Sequence, residues 1–357
     1  MTGTRLRTAI VGASGYIGQH FARLLDEHPW FERPLLVASE RSEGRRLSDV
    51  WQLSEPPPPG LGEERLRGAS PAELARRGTQ VVFSALPSGL AGATELELRR
   101  RGVAVFSNAA DHRDDPRFPL LVPEVNAWRL AASPRPGRGR GLLVTNPNCS
   151  AAGLVVAVAP LLGLLRPSAV HVSTYQALSG AGYPGVPSLA IADNVVPFIR
   201  HEEEKLALET ALLLGAPRGD RVRPLSAAVL AHCARVATRE GHLEAVTLVT
   251  NRRPSRVAIE RAWRSFDPLA GRGLPTAPAP PLVLRREEDR PQPLRDRWAG
   301  APARARGMAV SVGRVRWEPP YLRFFLLAHN AVRGGAGGSV LNAELACAEG
   351  RLQGGPL

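Results

Sequence analysis

The segment Leu142 to Leu154, LLVTNPNCSAAGL, places one thiol where a strand gives way to a helix. Pro147 cannot donate to a ladder and pushes Asn146 away from helical angles. A strand therefore stops there, and a helix starts at Cys149 and runs into the apolar stretch Ala151 to Leu165. Unpaired N–H groups and the positive end of the dipole favour a thiolate at such a position. A free cysteine with pKa near 8.5 is only about 3% thiolate at neutral pH, so even a modest depression creates a nucleophile. A buried structural cysteine is the competing reading of the same residue; the Asn-Pro-Asn turn favours the nucleophile. The same helix N–H groups are expected to serve an oxyanion formed on attack.

A second chemical feature opens the chain. Arg5 to Val11 reads as a strand running into Gly12-Ala13-Ser14-Gly15-Tyr16-Ile17-Gly18, with a helix after it that carries Ile17, Phe21, Leu24 and Leu25 on one face. Strand, glycine turn and helix form the phosphate-binding start of a dinucleotide fold. Gly12, Ser14, Gly15, Tyr16, Ile17 and Gly18 are its candidate contacts. The next strand, Pro34 to Ser39, ends in Ser39-Glu40-Arg41-Ser42. Ser39, Arg41 and Ser42 suit a 2′-phosphate and hence NADP, whereas Glu40 would suit a free ribose hydroxyl. A third feature is a single lysine, Lys205, among 46 basic residues. A chain that otherwise uses arginine everywhere either needs a compact ammonium there or carries it by chance.

These residues require a scaffold. Gln80 to Leu86 and Val103 to Phe106 read as further buried strands, the second leading to Asn108 and Arg113. Pro71 to Arg77 reads as a short helix, Trp51 to Glu64 as an irregular loop, and Ser133 to Gly141 as a flexible basic loop. Strands alternating with helices up to about Asn148 predict a parallel, doubly wound sheet. The pattern then changes. A strand from Ala169 ends at Gln176, and the glycine-rich Ser179-Gly180-Ala181-Gly182 follows it. His201 to Leu214 is helical, and a break around Cys233 to Gly241 carries Arg235. His242-Leu243-Glu244 opens a strand to Asn251, and Pro254 to Phe266 is helical. Pro-rich connection over Thr276 to Pro293 surrounds a short strand. Met308 to Trp317 and Tyr321 to Ala328 read as antiparallel strands, and Ala336 to Ala348 as a closing helix.

Composition narrows the classes. With 357 residues, 44% of them hydrophobic, the chain can fill two ordinary cores. No apolar run is long enough to span a bilayer and no leader precedes the first strand, which predicts a non-secreted, cytoplasmic protein without a membrane partner. Three cysteines make no disulfide framework and have no metal-ligand spacing; Cys233 and Cys347 are read as structural. The net charge of +13 is spread over nearly every segment and not gathered into a basic block with aromatics, so no nucleic-acid partner is expected.

Taken together, TNPNCSAAGL, SGAGYPGVPS from Ser179, DNVVPFIRHEEEK from Asp193, the Arg235 to His242 segment, LLVPEVN from Leu120 and AHNAVRGGAGGSVLNAEL from Ala328 resemble the aspartate-semialdehyde dehydrogenase family in its archaeal and fungal branch. The resemblance spans nearly the whole chain. It implies a Rossmann-like NADP-binding domain over 1–148, an α+β catalytic and dimerisation domain over 149–333, and a C-terminal helix over 334–357 packing back on the first domain. It implies reversible reductive dephosphorylation of aspartyl 4-phosphate to aspartate 4-semialdehyde through a cysteine thioester. That step would feed lysine, threonine, methionine and diaminopimelate synthesis, in a homodimer or homotetramer with no metal. By the same resemblance Cys149 is the nucleophile, His242 the acid/base and Gln176 the amide that positions the intermediate. Arg235 would clamp the substrate carboxylate and Glu202 its ammonium, with Lys205, Asn108 and Arg113 binding phosphate. Asn330, Ser179 and Gly180 would contact the nucleotide. Departures cluster at CARVATREGHLE, which bears on substrate shape. A malonyl-CoA reductase or another acyl-phosphate or acyl-thioester reductase on this scaffold is the alternative, and a non-catalytic nucleotide-binding protein a remoter one.

Overall fold

A computed structural model describes residues 5–137, 139–219 and 221–352. Thr2 to Thr4, Arg138 of the basic loop and the last five residues of the C-terminal segment lie outside the described residues. The rest fall into two compact units. One is drawn from Met1–Leu121, Ala127–Asn146 and Gly335–Leu357, the other from Val122–Asn126 and Pro147–Gly334.

The first unit is built on five parallel strands in the order β2-β1-β3-β4-β5. They are β1 (Thr8–Val11), β2 (Leu35–Val37), β3 (Val81–Ser84), β4 (Ala104–Ser107) and β5 (Leu143–Thr145). Every residue of β1, β3, β4 and β5 is buried, as expected of a parallel sheet covered on both faces. The strand order reverses between β1 and β3, the crevice where doubly wound sheets take their ligands. The helix Tyr16–Leu25 leaves β1 at that point. Phe83 lies at its centre, its ring 5.2 Å from Phe21, 5.6 Å from Phe31 and 5.9 Å from Phe106. Burying each such ring contributes roughly 1.5–3 kcal/mol.

The C-terminal helix, Gly337–Ala348, packs on the Tyr16–Leu25 helix and on β4. A fully buried pair fixes it, His28 Nε2 donating to Glu344 Oε1 at 3.0 Å while His28 Nδ1 accepts from Trp30 N–H. The first unit thus has a Rossmann-like architecture closed by the end of the chain.

The second unit carries a mixed six-stranded sheet in the order β11-β12-β13-β10-β6-β9, with a small hairpin of β7 and β8 beside it. In chain order these are β6 (Pro167–Gln176), β7 (Ala216–Arg218), β8 (Arg221–Arg223), β9 (Ala228–Arg235), β10 (His242–Thr250), β11 (Leu282–Leu284), β12 (Val310–Glu318) and β13 (Tyr321–Ala328). The helix Cys149–Val158 lies on one face and is buried from Ser150 onward. A side chain at Gly153 would come within 2.8 Å of the Ala328 methyl, so helix and sheet meet at a glycine. At Pro160 the helix passes into a 3₁₀ turn, and a short helix resumes over Leu162–Leu165 at the end of the apolar stretch. A second helix, Glu202–Leu213, packs against β9 and the Cys149 helix through Glu202, Leu206, Glu209, Thr210 and Leu213.

One expectation is overturned. The predicted break at Cys233 to Gly241 begins only after Arg235, because Cys233, Ala234 and Arg235 end β9. Its pattern is half-exposed, as befits an edge strand, and it lacks the apolar alternation that marks the inner strands.

Candidate active site

The antiparallel and parallel registers of the second sheet bring distant residues into one row. Gln176 on β6 lies opposite Arg235 on β9, and Leu243 of β10 pairs with Tyr175, which sets His242 beside Gln176. His242 in turn faces Ala328 on β13. The next row inward holds Cys233, Thr174 and Glu244. Side chains two apart along a strand share a face, so Arg235, Gln176 and His242 all point toward the Cys149 helix.

Cys149 Sγ lies 3.1 Å from His242 Nε2. Asn148 caps the helix, its Oδ1 accepting from Ser150 N–H at 2.9 Å and Ala151 N–H at 3.1 Å. The cap thus occupies two of the first-turn N–H groups. Asn148 also donates through Nδ2 to Glu202 Oε1 at 2.9 Å and through its backbone N–H to Glu209. Gln176 Nε2 faces Glu202 Oε1 at 2.8 Å, Ser150 Oγ at 3.0 Å and Thr174 Oγ1 at 3.3 Å. Glu202 is therefore the hub that orients both amides.

Arg235 Nη1 donates to the Ala177 carbonyl at 2.7 Å, and Ala177 N–H donates to His242 Nδ1 at 3.1 Å. Burial holds the Arg235 guanidinium below its ordinary pKa. Complete burial, and then the nearby Arg235 charge, pushes His242 down to about 3, far from the value near 6.5 that its residue type suggests. Glu244 goes the other way. Both its oxygens are buried without a hydrogen-bond partner, and burial, reinforced by Glu202, raises its pKa well above the usual carboxylate range. Burial pushes the Cys233 and Cys347 thiols up to about 12, which suits inert cysteines.

The turn after β6 lies beside this row. Asn330 Nδ2 donates to Ser179 Oγ at 2.8 Å, and its Oδ1 accepts from Gly241 N–H at 2.9 Å. Gly180 has a backbone any residue can adopt, yet a Cβ there would lie 2.7 Å from Arg235 Nη1 and 3.2 Å from His242 Nε2. What the position requires is space. Gly180→Ala is expected to leave the fold intact by circular dichroism and to cut kcat/KM about 100-fold, since small displacements of reacting groups cost that much. A loss under threefold would mean that the space beside Arg235 and His242 is not used.

Two family models match the chain: semialdehyde dehydrogenase, NAD binding domain, over residues 7–133, and semialdehyde dehydrogenase, dimerisation domain, over residues 158–333. An aspartate-semialdehyde dehydrogenase of Archaeoglobus fulgidus is 41% identical across 96% of this chain and 98% of its own length. The chain belongs to the aspartate-semialdehyde dehydrogenase family. A crystal structure of aspartate semialdehyde dehydrogenase with NADP from Candida albicans superposes with a TM-score of 0.84 at 31% identity, covering 98% of this chain and all of that one. A malonyl-CoA reductase (NADP) of Metallosphaera sedula is 34% identical over 97% of this chain and 98% of its own. The protein is thus a semialdehyde dehydrogenase with a nucleotide-binding and a dimerisation domain.

The glycine turn leaves no room for a side chain at two of its positions. Gly12 has φ +87°, and a Cβ there would stand 2.7 Å from the Ala85 carbonyl oxygen; a Cβ at Gly18 would overlap the Gly12 carbonyl oxygen at 2.1 Å. Gly15 precedes the first helical residue Tyr16, whose ring is buried against His20, while Ile17 and Ser14 are half-buried. Gln19, overlooked in the sequence, donates to the carbonyls of Ser14 and Val50 and accepts from Gln52 N–H, so it sets the loop beside the turn. Ser39 and Arg41 are exposed just past β2, with Ser42 N–H donating to the Ser39 carbonyl. The phosphate candidates are divided: Asn108 and Arg113 belong to the first unit, Arg113 donating to the Asn108 carbonyl at 2.8 Å, and half-buried Lys205 belongs to the second. Among the described residues no helix is long and apolar enough to cross a membrane, and no group of three or more His, Cys, Asp or Glu could hold a metal ion.

Proposed function

We propose that this semialdehyde dehydrogenase is an NADP-dependent aspartate-semialdehyde dehydrogenase, interconverting aspartyl 4-phosphate and aspartate 4-semialdehyde. The observation that carries the reading is the Cys149 to His242 contact of 3.1 Å at the end of a row that also holds Gln176 and Arg235. In the oxidative direction Cys149 adds to the aldehyde carbon and gives a thiohemiacetal, whose oxygen lies within reach of His242. NADP, when bound, supplies the hydride acceptor. The thioester left on Cys149 is then cleaved by phosphate. Splitting the reaction at a covalent intermediate keeps water from competing for the activated acyl group. Arg235 clamps the α-carboxylate, Glu202 meets the ammonium, and Gln176, held by Glu202, positions the acyl group. Lys205, Asn108 and Arg113 bind phosphate, and Ser179, Gly180 and Asn330 guide the nicotinamide side.

The relative that reduces malonyl-CoA keeps a second substrate in play. That substrate has no ammonium for Glu202. The deciding assay follows NADPH formation with aspartate semialdehyde, phosphate and NADP. Reduction of malonyl-CoA with no phosphate-dependent oxidation of aspartate semialdehyde overturns the proposal.

Arg41 reads the nucleotide. Arg41→Ala is expected to weaken NADP binding about 10- to 150-fold, the equivalent of roughly 1.5–3 kcal/mol for a charge-assisted contact. NAD affinity, measured by the same fluorescence titration, should stay unchanged; equal losses would assign Arg41 to loop support. A homo-oligomer agrees with the dimerisation-domain match and with exposed Tyr175 and Leu230 on the sheet face opposite the catalytic row.

A further inference from the structure

We infer that Arg67 is the second guanidinium of a two-armed clamp on the nucleotide's 2′-phosphate, working with Arg41 from an extended segment beside β2. This role rests on the NADP reading and specifies how that nucleotide is told from NAD.

Arg67 is placed by the outer edge of the first sheet. It pairs in parallel with Val37, the last residue of β2. Its N–H donates to the Leu36 carbonyl at 2.9 Å, and its carbonyl accepts from Ala38 N–H at 3.0 Å. On the other side of β2, the Val37 carbonyl accepts from the N–H groups of Gly12 and Ala13, at 2.9 Å each. The end of β2 is therefore held between the glycine turn and Arg67. Ser39 lies two residues on, about 7 Å of extended chain beyond Val37. The loop of Ser39, Arg41 and Ser42 is tied to the same segment. Gly44 N–H donates to the Leu66 carbonyl at 2.8 Å, and Leu66 N–H to the Arg45 carbonyl at 2.9 Å. All of these residues belong to the first unit.

The arginines of this lobe divide by what they hold. Five lie between residues 41 and 67, and three of them are committed. Arg45 donates to the Asp49 carbonyl at 2.8 Å, Arg46 pairs with Glu63 at 2.7 Å, and Arg65 donates to the Gly44 carbonyl at 2.6 Å. Arg41 and Arg67 are exposed, and among the described residues neither guanidinium has a hydrogen bond or an ion pair. These two stand at the end of β2, where a doubly wound sheet reads the ribose. Charge explains why one arm would not suffice. Arg41 shares its loop with Glu40 and Glu43, and a Cβ at Gly68 would stand 2.7 Å from Glu43 Oε2. Both acids oppose a phosphate monoester, which is close to dianionic at neutral pH. A second guanidinium offsets them, and two forks can take separate oxygens of one phosphate. Glu40 alone would suit an unphosphorylated ribose; Arg67 is the residue that tips the site the other way.

The test titrates wild type, Arg67→Ala, Arg41→Ala and the double variant with NADP and with NAD, following fluorescence. Arg67→Ala should weaken NADP binding about tenfold or more, the loss expected for one charge-assisted contact. NAD affinity should stay within about twofold of wild type, because NAD lacks the phosphate that Arg67 holds. That unchanged affinity also shows the glycine turn and the edge of the sheet to be intact. Arg41→Ala should keep part of the preference for NADP, and adding Arg67→Ala should shrink the remainder about threefold or more. If Arg67→Ala weakens both nucleotides equally, or leaves the NADP affinity of a wild type that prefers NADP untouched, the clamp is overturned and the NADP reading stands. A wild type that binds both nucleotides alike overturns the NADP reading itself, and the clamp with it.

Discussion

Cys149→Ala is expected to abolish turnover, with kcat falling by more than about 10⁴-fold, because removing a covalent nucleophile removes a step and not a fraction of one. Nucleotide affinity should hold within about twofold, since the glycine turn and the Ser39 to Ser42 loop belong to the other unit. Cys233→Ala and Cys347→Ala serve as controls. Both thiols are buried and pushed up to about 12, so they offer no competing nucleophile and their loss should be mild in kcat. Stopped-flow and steady-state assays on the three variants decide the point. A Cys149→Ala enzyme with a tenth of wild-type kcat would end the thioester mechanism.

The second large effect concerns stability. Arg333 and Glu124 form a bidentate ion pair, with each side chain only 1% exposed, and Arg333 Nε also donates to the Met308 carbonyl at 2.7 Å. Arg333→Met leaves the Glu124 charge buried and alone, which should cost about 3–5 kcal/mol in urea unfolding. Arg333→Met with Glu124→Gln should recover much of that loss, because the desolvated charge disappears with its partner. The neighbouring Gly334 presses on the nucleophile, since a Cβ there would stand 2.7 Å from Cys149 Cα. Activity should therefore fall in Arg333→Met below the denaturant concentration that unfolds it. A destabilisation under about 1 kcal/mol would show the pair to be dispensable.

The parts of this molecule legible in its sequence are those written locally. The proline and cap residue at Asn146-Pro147-Asn148 fixed the strand end and helix start around Cys149. The glycine turn after β1 and the apolar runs of the parallel strands were equally plain. What escaped was written across strands. β9 is hard to read because its run AVLAHCAR shows no apolar-polar alternation, and Arg235 therefore reads as part of a break. Thr174 with Gln176, and His242 with Glu244, are polar pairs two residues apart, each buried on one face of its strand. That period-2 signature marks a buried polar face and could have exposed the second row. The basicity of His242 could not be read from its residue type, because it depends on burial and on Arg235 and Ala177 folding beside it. Nor could the occupation of the helix N–H groups by Asn148 be separated from a free N-terminus.

The row that joins Arg235, Gln176 and His242 makes activity a gauge of strand register. A one-residue slip of β10 against β6 would send His242 to the opposite face and leave the hydrophobic pattern of the sheet disturbed with it. Refolding chains should consequently regain secondary structure before they regain turnover. Catalysis returns only when β6, β9 and β10 have settled into a single alignment.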